Sequence, residues 1–217
     1  MKREEVKNRI AEIGILPGIR LQREDDALYA AETVYNGGIT VVEITMTVPN
    51  AIRVIELLSK RFPDLAVGGG TVLDPETAVR CVDAGACFIT STGLVTEVVE
   101  FALKRGVVVF PGALTPTEVI AAWKTGADFV KVFPAGPVGG DQYIRSLKIP
   151  LPQVSLIASG GVSQLTATSY IRAGATAVGV GVDLMPKDAI RLRQEQRIHE
   201  LARRFLGFVA EGRSSSK

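Results

Sequence analysis

The stretch VVVFPGALTPTEVIAAWKTGADFVKVF, residues 107–133, contains the unit from which the chain is built. It begins with the apolar run VVVF and continues through proline, glycine and threonine into a helix-like segment. A second apolar run, DFVKVF, follows that segment. Short apolar runs bounded by turn residues are typical of buried strands, and the segment between them has helical spacing. The stretch therefore predicts a β-α-β unit.

The same unit recurs along the chain at intervals of about 20–25 residues, the length of one βα repeat. The eight apolar runs are 15–20, 40–45, 65–70, 87–91, 107–112, 128–133, 154–159 and 176–181. They are nearly continuous, as expected for strands with both faces covered. Eight units predict a (β/α)8 TIM barrel, preceded by an N-terminal helix. The alternative is a doubly wound open sheet, but the turn after the first run reads GIRLQRED and lacks its glycine pattern.

Composition excludes several classes of function. The 217 residues are 47% hydrophobic and 22% charged, with a net charge of +2, so we expect no nucleic-acid partner. The N-terminus lacks an apolar signal core, and no run is long enough for a membrane span. Cys81 and Cys87 predict free thiols in the cytoplasm, and one histidine, His199, argues against a zinc site. We expect a single domain over residues 1–211 and a disordered tail, 212–217.

Polar side chains lie near the ends of the predicted strands, where such barrels hold their active sites. Because side chains alternate along a strand, Glu43 shares a face with Thr45 in the second run. In the sixth run, Lys131 shares a face with Phe129 and Phe133. The other candidates at strand ends are Arg20, Thr71, Ser159, Gly160, Gly161 and Gly181.

A buried amine and a buried carboxylate on different strands form either a structural ion pair or a catalytic pair. Structural pairs of this kind add little net stability, because desolvation offsets most of the Coulomb gain. We therefore favour catalysis by Lys131 and Glu43. An apolar setting disfavours the ammonium form of a lysine, and a free amine attacks a carbonyl to form a Schiff base. The carboxylate then shuttles protons.

The glycines predict an anion site. Gly160 and Gly161 follow the seventh strand and precede a helix-like segment, and Gly181 ends the eighth. The loops after these two strands are the usual phosphate site of such barrels, although a plain turn is the alternative for the glycine pair. Arg20 is either a clamp for a substrate anion or an exposed strand-end charge.

Seven motifs at their characteristic spacing resemble a known family. They are EITMTVPNA, VGGGTVLDP, FITSTGL, PGALTPTE, KVFPA, SGGV and AVGVG. This pattern is similar to that of the 2-keto-3-deoxy-6-phosphogluconate aldolases, with their relatives acting on the 6-phosphogalactonate epimer and on 4-hydroxy-2-oxoglutarate. The resemblance covers residues 15–186.

The resemblance implies a class I pyruvate aldolase without a metal or other cofactor, acting on a small-molecule substrate as a homotrimer. It makes Lys131 the Schiff-base lysine, Glu43 the general acid and base, and Thr71 a contact to pyruvate. Phe133 walls the pocket in this interpretation. The substrate-binding set then comprises Arg20, Thr45, Thr71, Phe133, Ser159, Gly160, Gly161 and Gly181.

The chain departs from the family pattern at two positions. Val182 replaces a serine that often binds phosphate, and Thr92 replaces a proline. The expected substrate is 2-keto-3-deoxy-6-phosphogluconate, cleaved to pyruvate and glyceraldehyde 3-phosphate. The alternatives are 4-hydroxy-2-oxoglutarate or the 6-phosphogalactonate epimer. A phosphosugar isomerase or synthase and a non-catalytic binding barrel are the alternatives from other classes.

Overall fold

A computed structural model describes residues 1–214. The strands are β1 (Ile15–Ile19), β2 (Val41–Thr45), β3 (Ala66–Gly70), β4 (Phe88–Thr90), β5 (Val108–Phe110), β6 (Gly112–Ala113), β7 (Val130–Val132), β8 (Leu156–Ser159) and β9 (Ala177–Val180). The helices are α1 (Arg3–Ile13), α2 (Glu24–Asn36), α3 (Ala51–Arg61), α4 (Pro75–Asp83), α5 (Thr96–Lys104), α6 (Pro116–Lys124), α7 (Gly140–Lys148), α8 (Ala167–Arg172), α9 (Lys187–Arg191) and α10 (Glu195–Ser214). Strands and helices alternate, as predicted.

All strands are parallel, in the order β5-β4-β3-β2-β1-β9-β8-β7-β6. The two ends of this order are consecutive in sequence, because Pro111 divides the fifth predicted strand into β5 and β6. Proline has no backbone N–H for a sheet ladder. β5 pairs with β4 and β6 pairs with β7, so the fifth strand closes the barrel. The structure confirms the (β/α)8 prediction.

Side-chain alternation separates two apolar cores. The inner core fills the barrel and consists of Val6, Ile10, Leu16, Val41, Ala66, Phe88, Val108, Phe110, Phe129, Ile157 and Ala177. Within it, the ring of Phe110 contacts those of Phe88 and Phe129, with centroids 5.4 and 5.8 Å away. The outer core packs the other strand faces against the helices and includes Val42 and Ile44. Glu43 therefore lies on the inner face, as predicted, between two outward-facing neighbours.

The N-terminal ends of the strands are covered by α1, whose Val6 and Ile10 belong to the inner core. Arg3 forms an ion pair of 3.0 Å with Asp128, the residue two before β7. The same carboxylate accepts a hydrogen bond of 3.0 Å from the backbone N–H of Val109. These contacts hold α1 against one end of the barrel and leave the C-terminal ends of the strands for a site.

The C-terminal region differs from the prediction. Two helices, α9 and α10, follow β9, and Arg193 between them has a positive φ of 52°. The predicted tail, 212–217, is wrong for its first three residues, because α10 continues to Ser214. Gly212 is buried in that helix. Residues 215–217 lie outside the described residues. Within residues 1–214, no helix is long and apolar enough to cross a membrane.

Candidate active site

Lys131 and Glu43 meet inside the barrel, above the inner core. Lys131 Nζ lies 3.4 Å from each carboxylate oxygen of Glu43 and 3.3 Å from Thr90 Oγ1. The two charged residues are 5% and 3% exposed, and Thr90 is fully buried. Nζ also lies 5.9 Å from the ring centroid of Phe133. Glu43, Thr90 and Lys131 each follow an inner-core residue by two positions. They therefore form the next layer of inward-facing side chains toward the C-terminal ends of the strands.

The pair opens on a cavity of about 500 Å³. Nine of the ten predicted site residues line it, namely Arg20, Glu43, Thr45, Lys131, Phe133, Ser159, Gly160, Gly161 and Gly181. Thr71, the tenth, borders it through a hydrogen bond of 3.5 Å from Arg20 Nη2 to Thr71 Oγ1. A cavity of this volume holds a small organic ligand. The structure thus brings together residues from six different strand ends.

Three consecutive glycines end β3, and each leaves space that another side chain occupies. A Cβ on Gly70 would lie 2.1 Å from Glu43 Oε1, and one on Gly68 would lie 2.0 Å from the ring of Phe88. On the other face of the strand, a Cβ on Gly69 would lie 2.7 Å from Cys81 Sγ. The absence of side chains here therefore makes room for the Glu43 carboxylate and for the core on both faces of β3.

Thr71, directly after those glycines, has a positive φ of 59°. This conformation is unfavourable for a β-branched residue and is found mainly at functional positions. Nearby, Thr45 Oγ1 donates a hydrogen bond of 3.0 Å to the carbonyl of Ile19 and lies 2.8 Å from Thr47 Oγ1. Hydroxyl groups thus surround the end of the cavity that Arg20 reaches.

The opposite side of the cavity is formed by the loop after β8. Gly160 and Gly161 have φ values of +83° and +91°, which favour glycine. The loop after β7 packs directly on them, since a Cβ on Gly136 would lie 2.9 Å from the Gly160 carbonyl oxygen. That oxygen accepts a hydrogen bond of 2.7 Å from the Gly136 N–H. The two loops therefore support each other at the edge of the cavity.

Comparison with known proteins places the chain in a family. The sequence model of an aldolase family described as KDPG and KHG aldolase matches residues 6–201. A 2-dehydro-3-deoxy-phosphogluconate aldolase of Pseudomonas aeruginosa is 33% identical over 202 residues, which cover 93% of this chain and 92% of that protein. The chain belongs to the KDPG and KHG aldolase family.

Solved structures agree with this assignment. A KDPG aldolase from Legionella pneumophila, with pyruvate captured as a covalent carbinolamine, is 31% identical with a TM-score of 0.84. The match covers 91% of this chain and 96% of that one. A family structure from Zymomonas mobilis with 3-phosphoglycerate is 26% identical, also with a TM-score of 0.84, covering 94% and 96%. The predicted family and the predicted class of enzyme, a carbon–carbon lyase, are confirmed.

Sequence reasoning missed several residues of this aldolase cavity. Thr90 was not singled out, although its hydroxyl is a neighbour of Lys131 Nζ. Gln22, Ser163, Asp183 and Lys187 line the cavity from loops after β1, β8 and β9. Thr90 follows from alternation, since it stands two positions after the inward-facing Phe88. The loop residues carry no comparable periodic signal.

Neither Cys81 nor Cys87 lines the cavity. Burial raises the pKa of Cys81 to about 12, and that of Cys87 to about 12 as well. Both thiols therefore stay protonated at neutral pH and are poor nucleophiles. Within residues 1–214, no group of three His, Cys, Asp or Glu residues is arranged to hold a metal ion.

Proposed function

We propose that this family member is a class I aldolase that reversibly cleaves 2-keto-3-deoxy-6-phosphogluconate to pyruvate and glyceraldehyde 3-phosphate. The observation that carries the proposal is the buried Lys131 amine, 3.4 Å from both oxygens of Glu43 and open to the cavity. The Legionella relative, whose structure contains pyruvate as a carbinolamine, supports an amine nucleophile. No other cofactor is required by this chemistry, because Lys131 itself becomes the electron sink.

The first step forms the Schiff base. The Lys131 ammonium passes a proton to the Glu43 carboxylate. This transfer converts a buried ion pair into a neutral pair, and the total charge of the two groups stays at zero. The free amine then attacks C2 of the keto acid to give a carbinolamine. Glu43 returns its proton to the departing hydroxyl group, so water leaves and an iminium ion remains. The Thr90 hydroxyl, 3.3 Å from Nζ, orients the amine during the attack.

The second step breaks the C3–C4 bond. Glu43, now a carboxylate again, takes the proton of the C4 hydroxyl while the C3–C4 electrons move into the iminium ion. The products are an enamine on Lys131 and the free aldehyde. Protonation of the enamine at C3 by Glu43 regenerates an iminium ion, and water hydrolyses it to release pyruvate. A single acid–base group serves each proton transfer.

The remaining residues position the two ends of the substrate. Arg20, held beside Thr71 at 3.5 Å, is suited to the C1 carboxylate, together with Thr45 and Thr71. Phe133 covers the amine and excludes water. Ser159, Gly160, Gly161 and Gly181 line the other side of the cavity and are suited to the distal phosphate.

A second candidate substrate is 4-hydroxy-2-oxoglutarate, which is shorter and carries no phosphate. Val182 favours it, because this side chain lines the cavity and cannot donate a hydrogen bond to phosphate. The 6-phosphogalactonate epimer is the third, since Thr92 adds a hydroxyl to the lining that a proline would not supply. The family assignment also supports a homotrimer with one catalytic domain, which α10 extends past the predicted bound of residue 211 to Ser214. Two unpaired thiols support a reducing compartment such as the cytoplasm.

Trapping with borohydride tests the mechanism. In the presence of pyruvate, borohydride should inactivate the enzyme and add one reduced pyruvyl group to Lys131, as read by peptide mass spectrometry. Glu43→Gln should keep the amine but slow pyruvate release by about 10²–10⁴-fold, the usual contribution of a general acid–base group. Lys124→Met, which alters an exposed lysine on α6, is the control for borohydride specificity.

An unlabelled Lys131 would exclude the aldolase mechanism and favour an isomerase or synthase. The substrate is assigned by measuring pyruvate release from 2-keto-3-deoxy-6-phosphogluconate, its galactonate epimer and 4-hydroxy-2-oxoglutarate. The proposal requires the first to have the highest kcat/KM. A higher kcat/KM for 4-hydroxy-2-oxoglutarate would replace the substrate and leave the Schiff-base mechanism in place.

A further inference from the structure

The cavity contains two charged side chains that the proposed mechanism does not use. Its charged lining consists of Arg20, Glu43, Lys131, Asp183 and Lys187. Glu43 and Lys131 pair with each other, and Arg20 contacts Thr71. The two unused groups, Asp183 and Lys187, both follow β9, on the side of the cavity formed by Gly160, Gly161 and Gly181.

The chain after β9 is held in a tight turn that brings Lys187 to this side. The Gly181 carbonyl accepts hydrogen bonds of 3.1 and 3.0 Å from the N–H groups of Leu184 and Met185. Both of these side chains are buried, at 0% and 4% exposure, so the turn is anchored in the outer core. Lys187 follows as the first residue of α9, and its side chain is exposed at the cavity.

Lys187 also differs from the neighbouring cations in its pairing. Arg193 forms an ion pair of 2.9 Å with Asp26, and Arg197 one of 2.6 Å with Asp188. Within residues 1–214, Lys187 takes part in no ion pair, and Asp183 does not reach it. Its positive charge is therefore available to a ligand in the cavity.

We propose that Lys187 binds the distal phosphate of the substrate and sets the preference for phosphorylated 2-keto-3-deoxy acids. Val182, 61% exposed at the same rim, provides no hydrogen-bonding side chain, and Lys187 supplies a charged donor in its place. The assignment rests on the proposed function, since it requires a substrate with an anion at each end. Arg20, which contacts Thr71, then serves the C1 carboxylate, and Lys187 serves the phosphate.

The size of the effect follows from the exposure of the lysine. A hydrogen bond to a charged group is stronger than a neutral one, but water and salt weaken it at an exposed site. Removal of the Lys187 charge should therefore lower kcat/KM for the phosphorylated substrate by about tenfold, through KM. Because Lys187 takes part in no bond-making or proton-transfer step of the proposed mechanism, kcat should change little.

The test compares Lys187→Met with Lys187→Arg. The measured quantity is the ratio of kcat/KM for 2-keto-3-deoxy-6-phosphogluconate to that for 2-keto-3-deoxygluconate, which differ only in the phosphate. The ratio should fall about tenfold in Lys187→Met and remain near the original in Lys187→Arg, since both cations bind phosphate. The loss should shrink as salt is raised, because screening already weakens the contact. Lys124→Met controls for the change in net charge.

A second variant, Asp183→Asn, should change the ratio of kcat/KM for the two substrates in the opposite direction. Among residues 1–214, Asp183 is the acidic side chain that lines this side of the cavity, so Asp183→Asn should raise the same ratio by removing repulsion of the phosphate. An unchanged ratio in Lys187→Met, or an equal fall for both substrates, would overturn the assignment. Failure of the proposed function is separate, because the unmodified enzyme would then give no borohydride adduct with pyruvate.

Discussion

At the scale of single residues, the site depends on a glycine that leaves space for a catalytic side chain. Glu43 reaches Lys131 because Gly70, on the neighbouring strand, has no Cβ in the space of the carboxylate. Glu43 and Gly70 come from adjacent strands, β2 and β3, whose register places Thr45 opposite Gly70. Position 70 therefore controls the proton-transfer group without touching the substrate.

Gly70→Ala should reduce activity far more than it reduces stability. The added Cβ would lie 2.1 Å from Glu43 Oε1, and the end of that side chain can swing away more easily than a strand can move. Displacement of the carboxylate should lower kcat by about 10²-fold or more, the lower range for loss of an acid–base group. Steady-state kinetics and thermal unfolding of the same preparation measure the two effects.

The matched control is Gly207→Ala, on an exposed face of α10 where a Cβ would contact nothing within 4 Å. This change should keep full activity and stabilise the helix slightly, because alanine is a better helix former. Full activity in Gly70→Ala would mean that the Glu43 carboxylate keeps its place beside Lys131 despite the added atom, and would contradict the argument.

The order of strands and their ends predicted most of the site, although Thr90 in β4 was missed. Alternation placed Glu43 and Lys131 on the inner face, and the structure agrees. Lys187 was not predicted, because it stands beyond the last strand, and its approach to the cavity depends on a turn anchored by Leu184 and Met185. The position of a residue that depends on how a turn packs on the core leaves no periodic signal in the sequence.

At the scale of elements, short loops and capped helices determine how each βα unit is joined. Asp74 ends the loop after β3, and its carboxylate accepts a hydrogen bond of 2.7 Å from the Thr77 N–H at the start of α4. Pro75 occupies the first turn, where its missing N–H costs nothing. Thr115 and Glu118 form a capping box at the start of α6, in the stretch that predicted the β-α-β unit.

Asp74→Ala should destabilise the protein by about 1 kcal/mol, because an N-terminal donor of α4 loses its partner. Asp74→Asn keeps an acceptor oxygen at the same position and should cost much less. Urea unfolding of the two variants, followed by circular dichroism, provides the comparison. Equal losses in both variants would show that the negative charge, and not the hydrogen bond, supplies the stabilisation.

Element boundaries were less predictable than element types. The fifth run was predicted as one strand, but Pro111 divides it between pairing partners on both sides, a consequence of barrel closure. Near the C-terminus, α9 ends before Arg193, whose guanidinium pairs with Asp26 and covers the ring of Tyr29. In both cases tertiary contacts decide where the element ends.

At the scale of the whole molecule, stability and chemistry lie at opposite ends of the barrel. The inner core and α1 fill the N-terminal end, where Arg3 pairs with the nearly buried Asp128. The polar layer of Glu43, Thr90 and Lys131 begins one alternation step further along the strands. Since the packed core lies between α1 and the cavity, changes at the closed end should affect folding and leave catalysis intact.

Ile10→Ala tests whether a change at the closed end of the barrel affects stability but not catalysis. Ile10 is fully buried in the inner core, so its truncation should cost about 2–5 kcal/mol of unfolding free energy, as large-to-small changes in cores do. Ile149→Ala, at a side chain that is 76% exposed, is the control and should change stability by roughly 0.5 kcal/mol or less. At a temperature where both variants are folded, their kcat/KM should match that of the unmodified enzyme. A large loss of kcat/KM in folded Ile10→Ala would mean that a change in the inner core alters the Lys131–Glu43 pair. It would contradict the argument that the closed end of the barrel affects folding and not catalysis.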